Sequence, residues 1–133
     1  MFDWNNDFSV GVGSIDAQHQ NLFAIGRELH TAMLAGQAKS VQSKLLERLV
    51  QYTTSHFSHE ERLMRQAHFP GVDAHVAQHQ ELTAKVLQFQ ADVDSGKHLI
   101  SLQLLQFLRS WLEHHILKSD KAYSPYLSNR SAA

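Results

Sequence analysis

Two short stretches of this sequence hold side chains that could bind metal ions. His56-Phe57-Ser58-His59-Glu60-Glu61 combines two histidines with two carboxylates, and His75-Val76-Ala77-Gln78-His79 adds two more histidines. Residues four positions apart lie on the same face of an α-helix, so His56 can point with Glu60, and His75 with His79. Imidazole nitrogens and carboxylate oxygens held on rigid helices are the beginning of a metal site whose other ligands lie elsewhere in the chain.

Four segments show the apolar spacing of helices, and no long segment shows the alternation of a strand. We expect one all-α domain over residues 1–133, with an extended N-terminal arm over 1–14, helices over about 16–35, 40–67, 72–93 and 99–119, and a short C-terminal tail. Gly36, Phe69-Pro70-Gly71 and Ser95-Gly96 mark the breaks between helices. Four such helices with short connections fold most simply as an up-down-up-down antiparallel four-helix bundle.

This topology places histidines from all four helices at one end of the bundle. His19 lies near the start of the first helix, His56 near the end of the second, His75 and His79 near the start of the third, and His115 near the end of the fourth. Each lies on the apolar seam and therefore points inward. A single inward histidine is usually a hydrogen-bonded core residue. Five without partners would each cost about 1–3 kcal/mol, so their convergence favours a metal centre.

Two further ligand positions have alternatives. The spacing permits either His59 or Glu60 at the core, and we favour Glu60 because a two-metal centre needs a bridging carboxylate. Asp120 follows His115 by five residues, a turn of about 500° that separates the two on an ideal α-helix. Both can bind one centre only if the helix widens by one residue, as in a π-bulge, or ends there. Otherwise Asp120 is a solvated residue at a helix end.

The composition excludes several other classes of site and partner. The absence of cysteine excludes disulfides, iron–sulfur clusters and thiolate zinc sites. The net charge is −1 and there is no basic stripe, so we expect neither nucleic acid nor an anionic membrane surface as a partner. We find no secretion signal and no run of about 20 apolar residues, and we expect a cytoplasmic protein without a membrane span. No apolar outer stripe demands a partner, so we expect a monomer.

Together these motifs resemble those of the hemerythrin family, in its single-domain bacterial form. The resemblance covers nearly the whole chain, from the arm with Trp4 to the Trp111-Leu112 pair. It is carried by His19 in Asp-Ala-Gln-His, His56-Phe-x-x-Glu60-Glu-x-x-Met64, His75-x-x-x-His79 and His115-Ile-x-x-x-Asp120.

The resemblance implies a cofactor of two iron ions. His75, His79 and His115 would hold one iron, and His19 and His56 the other. Glu60 and Asp120 would bridge both ions beside an oxo or hydroxo bridge, which makes Asp120 a ligand and leaves His59 outside. Of about twelve positions on two six-coordinate ions, these groups fill about eleven, and the open one lies on the iron held by His19 and His56.

An open position implies reversible binding of O₂, for transport, storage or delivery, by a protein that is not an enzyme. Matching positions imply an apolar O₂ pocket lined by Leu22, Phe57, Trp111 and Leu112. A di-iron oxidase or ferritin-like protein would carry Glu-x-x-His, which is absent from this sequence. Catalytic zinc needs fewer ligands. The remaining alternative is a di-iron enzyme or sensor that acts on O₂, nitric oxide or peroxide at the same centre.

Overall fold

The computed structural model describes residues 1–97 and 99–131, and it is helical without strands over that part of the chain. A single 3₁₀ turn in the arm precedes four helices, a π-helical segment and a fifth helix. Their bounds are Asn6–Phe8 for the turn, Gly13–Leu34 for α1, Lys39–Gln66 for α2, Val72–Asp94 for α3, Leu102–His114 for α4, His115–Asp120 for the π-helical segment and Lys121–Ser131 for α5. His98, which the sequence places at a break, and residues 132–133 lie outside the described part.

Helices α1 to α4 form the predicted up-down-up-down antiparallel bundle. Helix α1 packs against α2 and α4, and α2 also packs against α3. Gly36 and Gly96 follow the ends of α1 and α3 with φ of +62° and +78°, the left-handed conformation with which glycine commonly ends a helix. None of the helices in the described ranges has the length and apolar character needed to cross a bilayer.

The core of the bundle is built on the inward stripe of each helix. On α1 the buried residues Ile15, His19, Leu22, Gly26 and Leu29 follow one another in steps of four and three. This spacing keeps one face of a helix toward its neighbours. His19 belongs to the same stripe as the leucines, so the packing that holds the core together also directs a polar imidazole inward.

The N-terminal arm is more structured than the extended segment expected from the sequence. It contains the turn at Asn6–Phe8, and α1 begins at Gly13, three residues before the predicted start. Asp16 holds the arm to α1 because its carboxylate accepts hydrogen bonds from Ser9 Oγ at 2.6 Å and from Val10 N at 2.9 Å. Phe2 is 1% exposed, so the arm belongs to the core.

The C-terminal third also differs from the prediction. Helix α4 begins at Leu102 rather than 99, because Ser101 caps it by accepting a hydrogen bond from Leu104 N at 3.2 Å. The prediction of a short C-terminal tail is wrong, since α5 continues past Pro125 to residue 131. A proline inside a helix costs about 3 kcal/mol. Tyr123 and Leu127 are buried in the core, and burial of such side chains contributes about 1.5–3 kcal/mol each, which offsets that cost.

Candidate metal centre

The structure brings all seven predicted ligands together at one end of the bundle core. Each is at most 5% exposed. Helix α1 supplies one, α2 two, α3 two, and the π-helical segment the last two. They are His19, then His56 and Glu60, then His75 and His79, then His115 and Asp120.

The two carboxylates lie between two groups of imidazoles. Glu60 Oε1 is 3.0 Å from His79 Nε2 and 3.3 Å from His75 Nε2. Its other oxygen, Oε2, is 3.3 Å from His19 Nε2 and 3.4 Å from His56 Nε2. One carboxylate therefore directs one oxygen toward each group, which is the arrangement of a bridging ligand.

Asp120 repeats this arrangement from the other side. Its Oδ1 is 3.0 Å from His75 Nε2 and 3.1 Å from His115 Nε2, and its Oδ2 is 3.1 Å from His19 Nε2. The π-helical segment makes this possible, since its i→i+5 hydrogen bonds bring residues five apart onto one face. Lys121 N–H donates to the carbonyl of Ile116, five residues earlier. Of the two conditions that the sequence set for Asp120, the structure shows the widened helix.

Hydrogen bonds from neighbouring helices fix the orientation of two imidazoles. His56 Nδ1 lies 2.7 Å from Gln18 Oε1, and His115 Nδ1 lies 2.9 Å from Gln78 Oε1. A glutamine oxygen can only accept, so each Nδ1 carries the proton and each Nε2 offers its lone pair to the centre. Ser119 Oγ also donates to Gln78 Oε1, at 2.6 Å.

The remaining contacts add charge and aromatic surface. His79 Nδ1 lies 2.8 Å from a carboxylate oxygen of Glu61, and its ring stacks on Phe57 with 3.7 Å between centroids. Trp111 stacks on His115 at 4.3 Å. Tyr123, from α5, donates a hydrogen bond of 2.7 Å to Glu60 Oε2. The centre is thus held by every helix of the fold.

The electrostatics of the metal-free site follow from two buried carboxylates. Burial lowers the pKa of His19 and of His75, but the adjacent Asp120 and Glu60 outweigh burial and raise each pKa to about 9. For His115, burial is the larger effect and its pKa is lowered.

The pKa values of the two carboxylates are lowered. Burial and the charge of Glu60 act to raise the pKa of Asp120, but His115, His19 and His75 lie close to its oxygens and hold that pKa well below its usual value. Burial likewise acts to raise the pKa of Glu60, and the surrounding imidazoles, with His56 foremost, bring it well below its usual value. Both carboxylates are therefore anionic, and they attract cations to the core.

The donor set fits two metal ions. Among the described residues, four buried side-chain atoms make no hydrogen bond, namely His19 Nδ1, His79 Nε2 and both oxygens of Asp120. Such orphaned atoms are rare in protein cores, and a cation would satisfy three of them directly. The side chains fall into two groups with ligand atoms within 4.8 Å, and Glu60 belongs to both. One group is Glu60, His75, His79, His115 and Asp120, and the other is His19, His56 and Glu60.

The alternative ligand His59 and the four residues expected to line the O₂ pocket lie outside the set of seven ligands. His59 is outside it and lies 3.0 Å from Ser14 Oγ. Leu22 and Leu112 line a small apolar space in the bundle core. Phe57 and Trp111 pack instead on the imidazole rings described above.

Sequence reasoning missed the residues that hold the ligands in place, which are Gln18, Gln78, Glu61, Ser119 and Tyr123. One signal was available, because Ala-Gln-His occurs twice, at residues 17–19 and 77–79. The glutamine of the first copy accepts from His56 on α2, and that of the second copy accepts from His115 in the π-helical segment.

The comparison with protein families decides the identity of the fold. The hemerythrin HHE cation binding domain matches residues 10–127. This chain belongs to the hemerythrin family. The resemblance seen in the sequence is thereby confirmed, together with the bundle and the expectation of a di-iron cofactor.

Known hemerythrins are similar to this chain over most of its length. A bacteriohemerythrin of Stenotrophomonas maltophilia is 33% identical over 91% of this chain and 78% of that protein. A bacteriohemerythrin of Methylococcus capsulatus is 32% identical over 92% of both chains. The crystal structure of a wild-type hemerythrin superposes with a TM-score of 0.90 at 32% identity and covers 95% of this chain and 97% of that one.

Proposed function

We propose that this protein binds O₂ reversibly at a di-iron centre and acts as a carrier or store of O₂ rather than as an enzyme. The observation that carries the proposal is the pair of buried carboxylates, Glu60 and Asp120, each with one oxygen toward either group of imidazoles. The proposed ligands are the seven residues His19, His56, Glu60, His75, His79, His115 and Asp120. Iron ions held there would supply the redox chemistry. They would offer a free coordination position to O₂ and the electrons that O₂ accepts when it binds and returns when it leaves.

The distribution of ligands indicates where O₂ binds. The group around His75, His79 and His115 supplies three imidazoles, whereas the other group supplies only His19 and His56. Glu60 belongs to both groups and Asp120 Oδ2 also lies 3.1 Å from His19 Nε2, so the two groups differ by one imidazole and the second ion would have one protein ligand fewer. The free position therefore lies on the side of His19 and His56.

The kinds of ligand and their surroundings favour binding over oxidation chemistry. Five of the seven proposed ligands are neutral imidazoles when coordinated, so the site holds less negative charge than the carboxylate-rich sites of di-iron oxidases. Less negative charge stabilises high-valent iron less well. Leu22 and Leu112 form apolar walls next to the ligands, and a dry surrounding limits the access of water that would carry oxygen away in reduced form.

Iron content and the absorption spectrum test this proposal. The reduced protein would be measured without O₂, then in air, then again under vacuum. We expect two irons per chain and a visible charge-transfer band that appears with O₂ and disappears when O₂ is removed. A His75→Gln variant, which loses one imidazole, serves as a control and should hold less iron.

Other outcomes separate the alternatives. A fast change to the ferric form that vacuum does not reverse would overturn the carrier proposal in favour of an oxidase or scavenger. Zinc or no metal in place of iron would overturn the di-iron centre itself. A monomer in the cytoplasm remains our prediction, and sedimentation of the iron-loaded protein measures its oligomeric state.

A further inference from the structure

The core below the metal centre is built in layers that can be counted along each helix. The first layer lies three residues from a ligand on every helix of the bundle, toward the opposite end. Counting from His19, His56, His79 and His115, its members are Leu22, Thr53, Leu82 and Leu112. One turn of helix thus separates this layer from the proposed ligands.

The second layer lies seven residues from the same ligands, and it is incomplete. Three helices supply the apolar side chains of Leu49, Val86 and Leu108, but α1 supplies Gly26, which has none. Seven residues correspond to about 10 Å along a helix. The second layer therefore lacks one of its four side chains.

The ring of Phe2 fills the missing place from outside the bundle. A Cβ atom on Gly26 would lie 2.5 Å from Cδ1 of Phe2, so the ring occupies the position of the absent side chain. Phe2 is 1% exposed and its φ is +62°, a left-handed conformation that is strained for a residue with a side chain. Arg27 Nη1 holds this conformation by donating to the carbonyl of Phe2 at 2.8 Å.

The space enclosed between the two layers is small and apolar. It has a volume of about 10 Å³, and Leu22, Leu112 and Phe2 are among its walls. A space of this size holds about one water-sized molecule, and apolar spaces of this kind stay dry. The same cavity is therefore bounded by two residues of the expected O₂ pocket and by the N-terminal arm.

We propose that Phe2 is the movable end wall of the O₂ pocket, which sets the room available to a bound gas and closes its path out past Gly26. The wall belongs to the first residues of the arm, where Arg27 holds the carbonyl of Phe2, and not to a bundle helix, so it can open without unfolding the bundle. The identity of the gas rests on the proposed function, whereas the wall itself does not.

Xenon tests the wall without any reference to O₂. Crystals of the protein as isolated and of Phe2→Ala would be pressurised with xenon. We expect xenon in the second layer beside Gly26 in Phe2→Ala, since apolar cavities left by removal of large side chains bind xenon. The unchanged protein should hold none there, because its cavity is too small.

The rate of O₂ release from the iron-loaded protein tests the effect on function. In stopped-flow mixing with a scavenger of O₂, we expect Phe2→Ala to release O₂ roughly tenfold faster, a change of about 1.4 kcal/mol in the barrier. Phe2→Leu, whose side chain fills part of the space, should release O₂ at a rate between those of the unchanged protein and Phe2→Ala. Gly26→Ala, whose Cβ displaces the ring while favouring the helix, should also accelerate release and covers the case in which Phe2→Ala does not fold.

Phe8→Ala is the matched control, because it removes the same ring from the same arm. Phe8 is buried against Trp4 and Phe23 and does not line the cavity. Equal release rates in Phe2→Ala and Phe8→Ala, or no xenon beside Gly26, would overturn the proposal. If the protein binds no O₂ at all, the proposed function fails, and the xenon result still decides whether Phe2 is the wall.

Discussion

Single hydrogen bonds from residues that are not ligands orient two of the imidazoles and one carboxylate of the centre. Gln18 and Gln78 accept from Nδ1 of His56 and His115, and Tyr123 donates to Glu60. These partners orient lone pairs toward the centre before any metal arrives. Outer partners of this kind commonly change metal affinity by about 10–100-fold when they are removed.

Replacement of Gln18 by alanine should weaken metal binding without changing any ligand. The variant leaves a buried Nδ1–H of His56 without an acceptor, which costs about 1–3 kcal/mol and frees the ring to rotate. We expect a fall of about 10–100-fold in affinity, measured by competition with a chelator. Gln20→Ala, an exposed glutamine on the same helix, is the control. Equal affinities of the two variants would show that Gln18 has no orienting role.

Tyr123→Phe should separate the hydroxyl of Tyr123 from its ring. The ring still fills its buried place, but Glu60 Oε2 loses the 2.7 Å hydrogen bond. We expect the free energy of unfolding to fall by about 1.5–3 kcal/mol, since the acceptor is charged. Urea unfolding of the metal-free protein measures this change. Tyr126→Phe, at a tyrosine that is 42% exposed, should leave the stability unchanged, and a similar loss there would contradict the assignment.

At the scale of elements, the π-helical segment is what places His115 and Asp120 on one face. The segment inserts one residue beyond the α-helical spacing, and Lys118 within it is exposed. Deletion of Lys118 would leave a step of four residues between the same two side chains, which a regular α-helix places on one face. The helix before and after the deletion could then keep its register with the core.

We therefore expect the protein without Lys118 to fold and to hold two metal ions. Deletion of the exposed Ser110, in the regular part of α4, is the control. It turns the preceding part of the helix by about 100° relative to His115, so the core and the ligands can no longer face inward together. Metal content and circular dichroism of both proteins check this. If both deletion variants lose the metal, the π-helical geometry itself is needed, and it is not enough that His115 and Asp120 lie on one face of the helix.

The same elements show how far the sequence leads. The bundle and the convergence of His19, His56, His79 and His115 follow from apolar spacing and antiparallel order alone. The sequence shows that His115 and Asp120 can bind one centre only if the helix widens or ends between them. It does not show which of the two occurs, because the local spacing is the same in both cases. Helix α5 was missed because the sequence analysis ended the fourth helix at about residue 119 and expected only a short tail, and the burial of Tyr123 and Leu127 in the core shows why the helix continues.

At the scale of the whole molecule, the bundle encloses the seven proposed ligands in a core that is otherwise mostly apolar. Glu60 and Asp120 are 0% exposed, and they are held in the metal-free protein by protonated imidazoles. The fold therefore holds the site together in two ways, by protons without metal and by metal when it is bound. These two states respond differently to pH.

The stability of the metal-free protein should fall as the pH rises from 6 to 9. The pKa of His19 and of His75 is raised from 6.5 to about 9, so their contribution is complete below pH 6.5 and is lost as the pH rises to 9. His115, whose pKa is lowered by burial, opposes this trend, and so does His59 to a smaller extent because its side chain is only partly buried. The carboxylates, whose pKa values are lowered, contribute above their usual pKa values near 4 and lose this contribution in acid. Maximum stability should lie between about pH 5 and 6.5.

Urea unfolding at pH 6, 7.5 and 9, with a chelator or with bound metal, tests this dependence. The metal-loaded protein should change much less, because coordinated imidazoles have already released their protons. His19→Gln removes one of the two raised groups and should reduce the slope of the metal-free protein. A metal-free stability that rises from pH 6 to pH 9 would contradict the prediction, since it would mean that the buried imidazoles are neutral and that the carboxylates are stabilised by other contacts.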